Sequence, residues 1–189
     1  MYKHHLFKIT LIILAGLLLI STGWAAGKGF YPDGQLKWEY LFQDGQIQEA
    51  KWYNEEGQLL SREIYVNGQP EKTEGYRADG SLEWQVKTLA DNHQEVTRID
   101  ETGKMTARYQ MLDGQPDGEY TTYYDEGQIK QIVTYNKGTL EGPATTFYPS
   151  GEKEHEFSYV NGQVDGPYRT FSEDGKLLTE YIFSAGQLQ

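Results

Sequence analysis

Along this chain of 189 residues, apolar and aromatic side chains fall into columns once the sequence is aligned on a recurring glycine. Those glycines are Gly34, Gly57, Gly80, Gly103, Gly127, Gly151 and Gly175, spaced three times by 23 residues and then three times by 24. Four positions before each stands Phe30, Tyr53, Tyr76, Ile99, Tyr123, Phe147 or Phe171. Two positions after it stands Leu36, Leu59, Leu82, Met105, Ile129, Lys153 or Leu177. Six after it come Tyr40, Glu63, Val86, Tyr109, Val133, Phe157 and Tyr181; eight after it come Phe42, Tyr65, Thr88, Met111, Tyr135, Tyr159 and Phe183. The positions between are mostly polar, as in Glu152, Glu154, Glu156 and Ser158. Alternation with a period of two, rich in aromatics, predicts half-buried strands, whereas a helix needs a period near 3.6.

A second glycine series trails the first by eleven residues at Gly45, Gly68, Gly114, Gly138, Gly162 and Gly186, with Asp91 standing in the third unit. Asp33-Gly34, Asp44-Gly45, Asn67-Gly68, Asp113-Gly114 and Asn161-Gly162 are dipeptides that tolerate positive φ and so close tight hairpins. Each unit therefore reads as one antiparallel hairpin that contacts mainly its neighbours. Residues 30–189 are expected to form an all-β domain, an extended antiparallel meander of about seven β-hairpin repeats with about fourteen strands. At ~4.8 Å per strand such a sheet runs roughly 65 Å. Sheets that wide twist and curl, so a single-layer or rolled sheet is expected.

Units four to six carry a third glycine fifteen positions on, at Gly118, Gly142 and Gly166, each preceded by Asp or Glu. Pro143 and Pro167 follow two of them, and proline after glycine points to a bulge or sheet corner. The two halves are thus expected to curve differently. In the third unit Ala90-Asp91-Asn92-His93 is expected to form a looser loop.

The first 26 residues look like a leader rather than fold. Lys3, His4, His5 and Lys8 precede an apolar run from Ile9 to Ile20, and small residues follow, with Gly23 and Ala25 placed for cleavage after Ala25. The run is short for a membrane span, which needs ~20 apolar residues; an uncleaved anchor is the alternative. The reading is export to the periplasm or beyond, or inner-membrane anchoring if the leader stays. The chain has no cysteine, which excludes lipoprotein anchoring near the leader and leaves stability to packing and sheet hydrogen bonds. Removing Lys3 and Lys8 with the leader leaves 15 basic against 28 acidic residues, a net charge of −13. That balance opposes binding to nucleic acid or to anionic headgroups and favours a basic partner.

No catalytic, cofactor-binding or metal-ligating residue is assigned. Beyond the leader only His93 and His155 remain, in different repeats, and no nucleophile elbow or phosphate-binding loop appears. Glu152, Glu154 and Glu156 alternate onto one face, but nothing builds the six to eight oxygens that calcium takes. The expectation is that the protein is not an enzyme. The column before each first-series glycine and those six and eight after it read as core. A second set, Trp52, Tyr120, Tyr124, Tyr148 and Tyr168, alternates away from the first of these columns. It is the candidate binding face, suited to a protein partner or to stacking on a glycan.

Residues 118–130, Gly-Glu-Tyr-Thr-Thr-Tyr-Tyr-Asp-Glu-Gly-Gln-Ile-Lys, and 142–153, Gly-Pro-Ala-Thr-Thr-Phe-Tyr-Pro-Ser-Gly-Glu-Lys, resemble the variant MORN repeat of bacteria. The Asn-Gly-Gln-Val-Asp-Gly link at 161–166 matches as well. The resemblance covers residues 30–189, strongest from 103 onward and faint at 88–97. Many proteins with this repeat are similar to the YwqK family of antitoxins, which neutralise a toxin by binding it. The resemblance implies a protein-binding role with a toxin as the partner, and the acidic balance of the chain points to a basic one. A leader departs from a cytosolic antitoxin and would place such a toxin in the envelope. The alternative is an envelope structural or glycan-binding module.

Overall fold

The computed structural model describes residues 24–189. The expected leader lies outside them except for Trp24–Ala26, which open the first strand. The strands begin with β1 (Trp24–Phe30), β2 (Leu36–Gln43), β3 (Gln46–Tyr53), β4 (Leu59–Val66) and β5 (Gln69–Tyr76). β6 (Leu82–Thr88), β7 (His93–Ile99), β8 (Met105–Leu112), β9 (Gln115–Tyr123) and β10 (Ile129–Asn136) follow. β11 (Thr139–Phe147), β12 (Lys153–Val160), β13 (Gln163–Val164), β14 (Gly166–Phe171), β15 (Leu177–Ser184) and β16 (Gln187–Leu188) complete the chain. Successive strands pair antiparallel in one open sheet, β13 and β14 both lying against β12. The described residues are all-β, an extended hairpin meander as the alternation predicts. The strand count exceeds fourteen because β1 precedes the first unit and one strand is split into β13 and β14.

Two turn types alternate along the sheet. At the first glycine series the Tyr31 N–H donates to Gln35 O at 2.8 Å and the Gly34 N–H to Tyr31 O at 3.0 Å, with Gly34 at φ +89°. The same pair of bonds recurs in every unit down to Ser172–Lys176. It is a tight turn closed by a left-handed residue, a conformation that costs glycine least. At the second series both central residues are left-handed, as in Asp44 (φ 51°) and Gly45 (φ 77°). In the third unit the connection is longer, with four residues between β6 and β7 against two at the other turns of this series. It nevertheless closes on the same left-handed pair: Asp91 at φ 55°, Asn92 at φ 61° and the His93 N–H donating to Ala90 O at 3.1 Å. Asn and Asp enter the left-handed region more readily than other residues bearing a Cβ, so the turn closes one residue later without glycine.

Bulges account for the two repeat lengths. In the first unit the register passes from Leu41↔Glu49 to Phe42↔Ile47, so β3 carries one extra residue; the second unit does the same in β5. The third unit has no shift between β6 and β7, because its later turn absorbs the residue. From the fourth unit on two residues are inserted, as between Tyr109↔Tyr120 and Met111↔Pro116. The expected bulge is therefore present at Gly118, Gly142 and Gly166, all at positive φ. Each bulge aims the preceding carboxylate at the next unit. Asp117 accepts from the Lys137 N–H at 2.9 Å, Glu141 from the Asn161 N–H at 2.7 Å and Asp165 from the Ala185 N–H at 2.9 Å.

Cross-strand register sorts the side chains into two faces. The residue six after a first-series glycine pairs with the residue seven before the next: Tyr40↔Ala50, Glu63↔Thr73, Tyr109↔Tyr120, Val133↔Ala144. The aromatic column four before the glycine lies three residues further on, hence on the opposite face. Tyr76 demonstrates this, donating to Glu74 at 2.6 Å on the charged side. The expected core is therefore divided between two faces. Alternation within a strand orders its own residues, but only the register relates one strand's faces to the next. With no second layer, full burial is confined to small or central residues shielded by large neighbours, such as Ala50 (0 % exposed) and Ala144 (2 %).

Candidate functional site

One face of the sheet is aromatic. Trp38 stacks on Tyr40 with ring centroids 4.7 Å apart, and Tyr40 meets Trp52 edge-on at 6.0 Å and Phe42 at 6.5 Å. Further along the same face Tyr109 stacks on Tyr120 at 4.7 Å, and Tyr120 reaches Tyr135 at 5.8 Å. Phe157 stacks on Tyr168 at 4.9 Å, and Tyr168 reaches Phe183 at 5.8 Å. Val133, Ala144 and Phe157 are buried at the centre of this second group. Apart from buried Phe157, the rings are half-buried.

Three of the sequence-predicted residues belong here. Trp52 lies in the first group, and Tyr120 and Tyr168 in the second. They share the face with Tyr40, Tyr109 and Phe157, which the sequence reading placed in a separate core. Tyr124 and Tyr148 lie elsewhere, at the first-series turns. The Tyr124 hydroxyl donates to Phe147 O at 2.7 Å and the Tyr148 hydroxyl to Phe171 O at 2.8 Å, one repeat ahead in each case. Tyr31 does the same to Tyr53 O at 2.8 Å, and Lys130 covers the Tyr124 ring at 5.7 Å. These tyrosines fasten consecutive repeats together.

The opposite face is charged, and its charges are mostly paired. Cross-strand register sets Lys28, Glu39, Lys51, Arg62 and Glu74 in one row. Lys28 meets Glu39 at 3.0 Å, Lys51 meets Glu49 at 2.8 Å and Lys72 meets Glu74 at 2.6 Å, while Arg62 bridges Glu49 and Glu74. Burial alone would raise the pKa values of Glu49 and Glu74, yet both are lowered. Hydrogen bonds from Lys51 and Arg62 outweigh burial at Glu49, and those from Lys72 and Tyr76 outweigh it at Glu74. Near the C-terminus Arg169 pairs with both Glu156 and Glu180. The row's middle, Gln85, Thr97, Arg108, Thr121, Ile132 and Thr145, carries a single charge, Arg108.

One carboxylate sits on the aromatic face. Glu63 is the only acidic residue in the row that runs through Tyr40, Ala50, Thr73 and Val86. The Tyr65 hydroxyl donates to it. Burial, and then the Glu63 charge, push the Tyr40 phenol up; burial, the Glu63 hydrogen bond and its charge do the same at Tyr65. Both phenols are thus held neutral beside Glu63. The sequence showed Glu63 as the odd member of an apolar column, and only the register reveals its aromatic neighbours.

Among the described residues no group of three or more His, Cys, Asp or Glu side chains is placed to hold a metal ion. His155 instead contacts Thr146 at 2.8 Å, and Glu156 takes a bond from Lys153 at 2.6 Å. Surface depressions are shallow, such as the one lined by Ile64, Glu71, Lys72, Gln85 and Lys87.

No curated protein matches the chain. Two solved structures are similar over 54 % and 55 % of it: TarM, with TM-score 0.39 and 10 % identity, and an S. aureus TarM mutant in complex with Fondaparinux, alpha-GlcNAc-glycerol and UDP, with TM-score 0.40 and 12 % identity. The matched part spans 20 % of each of those chains, and at these scores the likeness carries no argument. A family model does match within the sheet. Residues 49–67, 116–137, 140–161 and 164–185 fit the MORN repeat variant, each segment being two strands joined by a first-series turn. The hairpins on either side of the displaced Asp91-Asn92 turn are not among them. The chain is a β-hairpin repeat protein carrying MORN repeat variants at four places.

Proposed function

We propose that this is a non-enzymatic, exported repeat protein that acts as a protein–protein interaction module through its aromatic face. One observation carries the reading. A single-layer sheet gathers half-buried Trp and Tyr rings on one side, where Glu63 and Arg98 are the charges in their rows, and sets ion pairs such as Arg62–Glu49 and Lys72–Glu74 on the other. Aromatic side chains bury large areas at little entropic cost and are enriched where proteins meet. The acidic balance of the chain steers a basic partner towards it. The finer reading is a YwqK-like immunity protein that neutralises a basic toxin in the envelope. The test is capture from the native envelope at low and at moderate salt. A protein partner is expected at low salt; recovery of none in either condition sinks the reading. Export is tested separately by the mass of the mature chain, which is expected to begin at Ala26.

A second reading, an envelope glycan-binding or structural module, draws on the stacked rings with polar tips, since sugar rings pack on such faces. It requires binding to isolated peptidoglycan or surface polysaccharide that resists salt and is lost in a Trp52→Ala, Tyr120→Ala double variant. Binding to the polysaccharide that disappears at moderate salt returns the case to a protein partner steered by charge.

A further inference from the structure

We infer that Glu63 and the rings around it form a recognition site for a lysine or arginine side chain of the basic protein partner. The inference deepens the preceding reading and rests on it for the nature of the partner. Glu63 sits across Ala50 from Tyr40, and Ala50 is wholly covered between them. Trp52 is a diagonal neighbour of Glu63 and closes edge-on against Tyr40 at 6.0 Å. The Tyr65 hydroxyl donates to the Glu63 carboxylate from two residues along the same strand. A carboxylate and two phenol oxygens therefore stand beside three aromatic rings.

That combination suits a cation. The carboxylate supplies charge and acceptor lone pairs, phenol oxygens accept further N–H bonds, and ring faces attract a cation electrostatically. The contrast with the other face strengthens the point. There Glu49 and Glu74 are each served by two basic side chains. Among the described residues, the Tyr65 hydroxyl is the side-chain partner that Glu63 has. The chain's net negative charge supplies the long-range attraction, and Glu63 supplies the point at which it is read.

The test titrates the full-length protein at low salt with a short peptide of alternating lysine and glycine, followed by tryptophan fluorescence. An arginine version and a glutamine version run in parallel. Binding of the cationic peptides over the glutamine one is expected. Glu63→Gln should raise Kd about tenfold, and Tyr65→Phe, which keeps the ring and the fold, a few-fold. Glu126→Gln removes the same charge from an exposed turn and should change Kd less than about twofold. Equal binding of all three peptides, wild-type affinity in Glu63→Gln, or equal losses in Glu63→Gln and Glu126→Gln would each overturn the site. Failure of the partner reading looks different: the peptide series behaves as described but no native protein is captured. Conversely, a captured partner that ignores Glu63→Gln keeps the partner reading and removes this site.

Discussion

A Cβ placed on Gly75 would lie 2.1 Å from the Trp84 indole, and one on Gly29 would lie 2.2 Å from that of Trp38. In both pairs the indole lies over the glycine opposite, shielding a backbone that would otherwise be solvated. Gly27 leaves room, its nearest contact being 3.7 Å. Gly75→Ala is therefore expected to destabilise by about 1–3 kcal/mol through overpacking, and Gly27→Ala by less than ~0.5 kcal/mol, as read from denaturant midpoints. The turn tyrosines yield a second prediction. Tyr124→Phe and Tyr148→Phe each remove one inter-repeat hydrogen bond and should cost about 0.5–1.5 kcal/mol. Neither should alter partner capture. These two residues resembled binding residues because they alternate away from the aromatic column before each first-series glycine; their acceptors are carbonyls 23 residues away, a relation that residue type does not reveal.

At the scale of the element, the repeat lives in its turns and bulges, and here the sequence was most informative. Alternating columns and two glycine series identified the hairpins, and Asp/Glu-Gly marked the later bulges. What stayed hidden was the compensation inside the third unit. Asp91 looked like a broken position, yet the turn had moved by one residue and the bulge had vanished. A count of residues cannot distinguish a shifted turn from a loosened one, because both keep the period at 23. The structure makes the distinction testable. Asn92→Gly should be neutral or slightly stabilising, whereas Asn92→Ala should cost about 1 kcal/mol for forcing a left-handed backbone. Thermal melts of the two variants give the comparison.

At the scale of the molecule, the sheet separates an aromatic face from a charged one. Alternation in the sequence announced two faces, but it split the aromatic side into a core and a separate binding face, since strand-to-strand register is not written in any one strand. The charged face predicts a pH dependence. Glu49 and Glu74 titrate below the ordinary carboxylate range, so in acid the unfolded chain binds protons first. Their contribution is complete above about pH 4.5 and is lost as pH falls through the folded values. Replacing the bridging Arg62 by Met should make the acid-side fall in Tm shallower than in the wild type. The aromatic face carries the functional claim, and its most direct test is capture of the proposed envelope partner by three forms of the protein. Wild type and an Arg62→Met variant of the charged face are expected to retain the partner, and a Trp52→Ala, Tyr120→Ala variant of the aromatic face to lose it while still folded. Retention by the aromatic-face variant, with loss in the charged-face variant, would contradict the account.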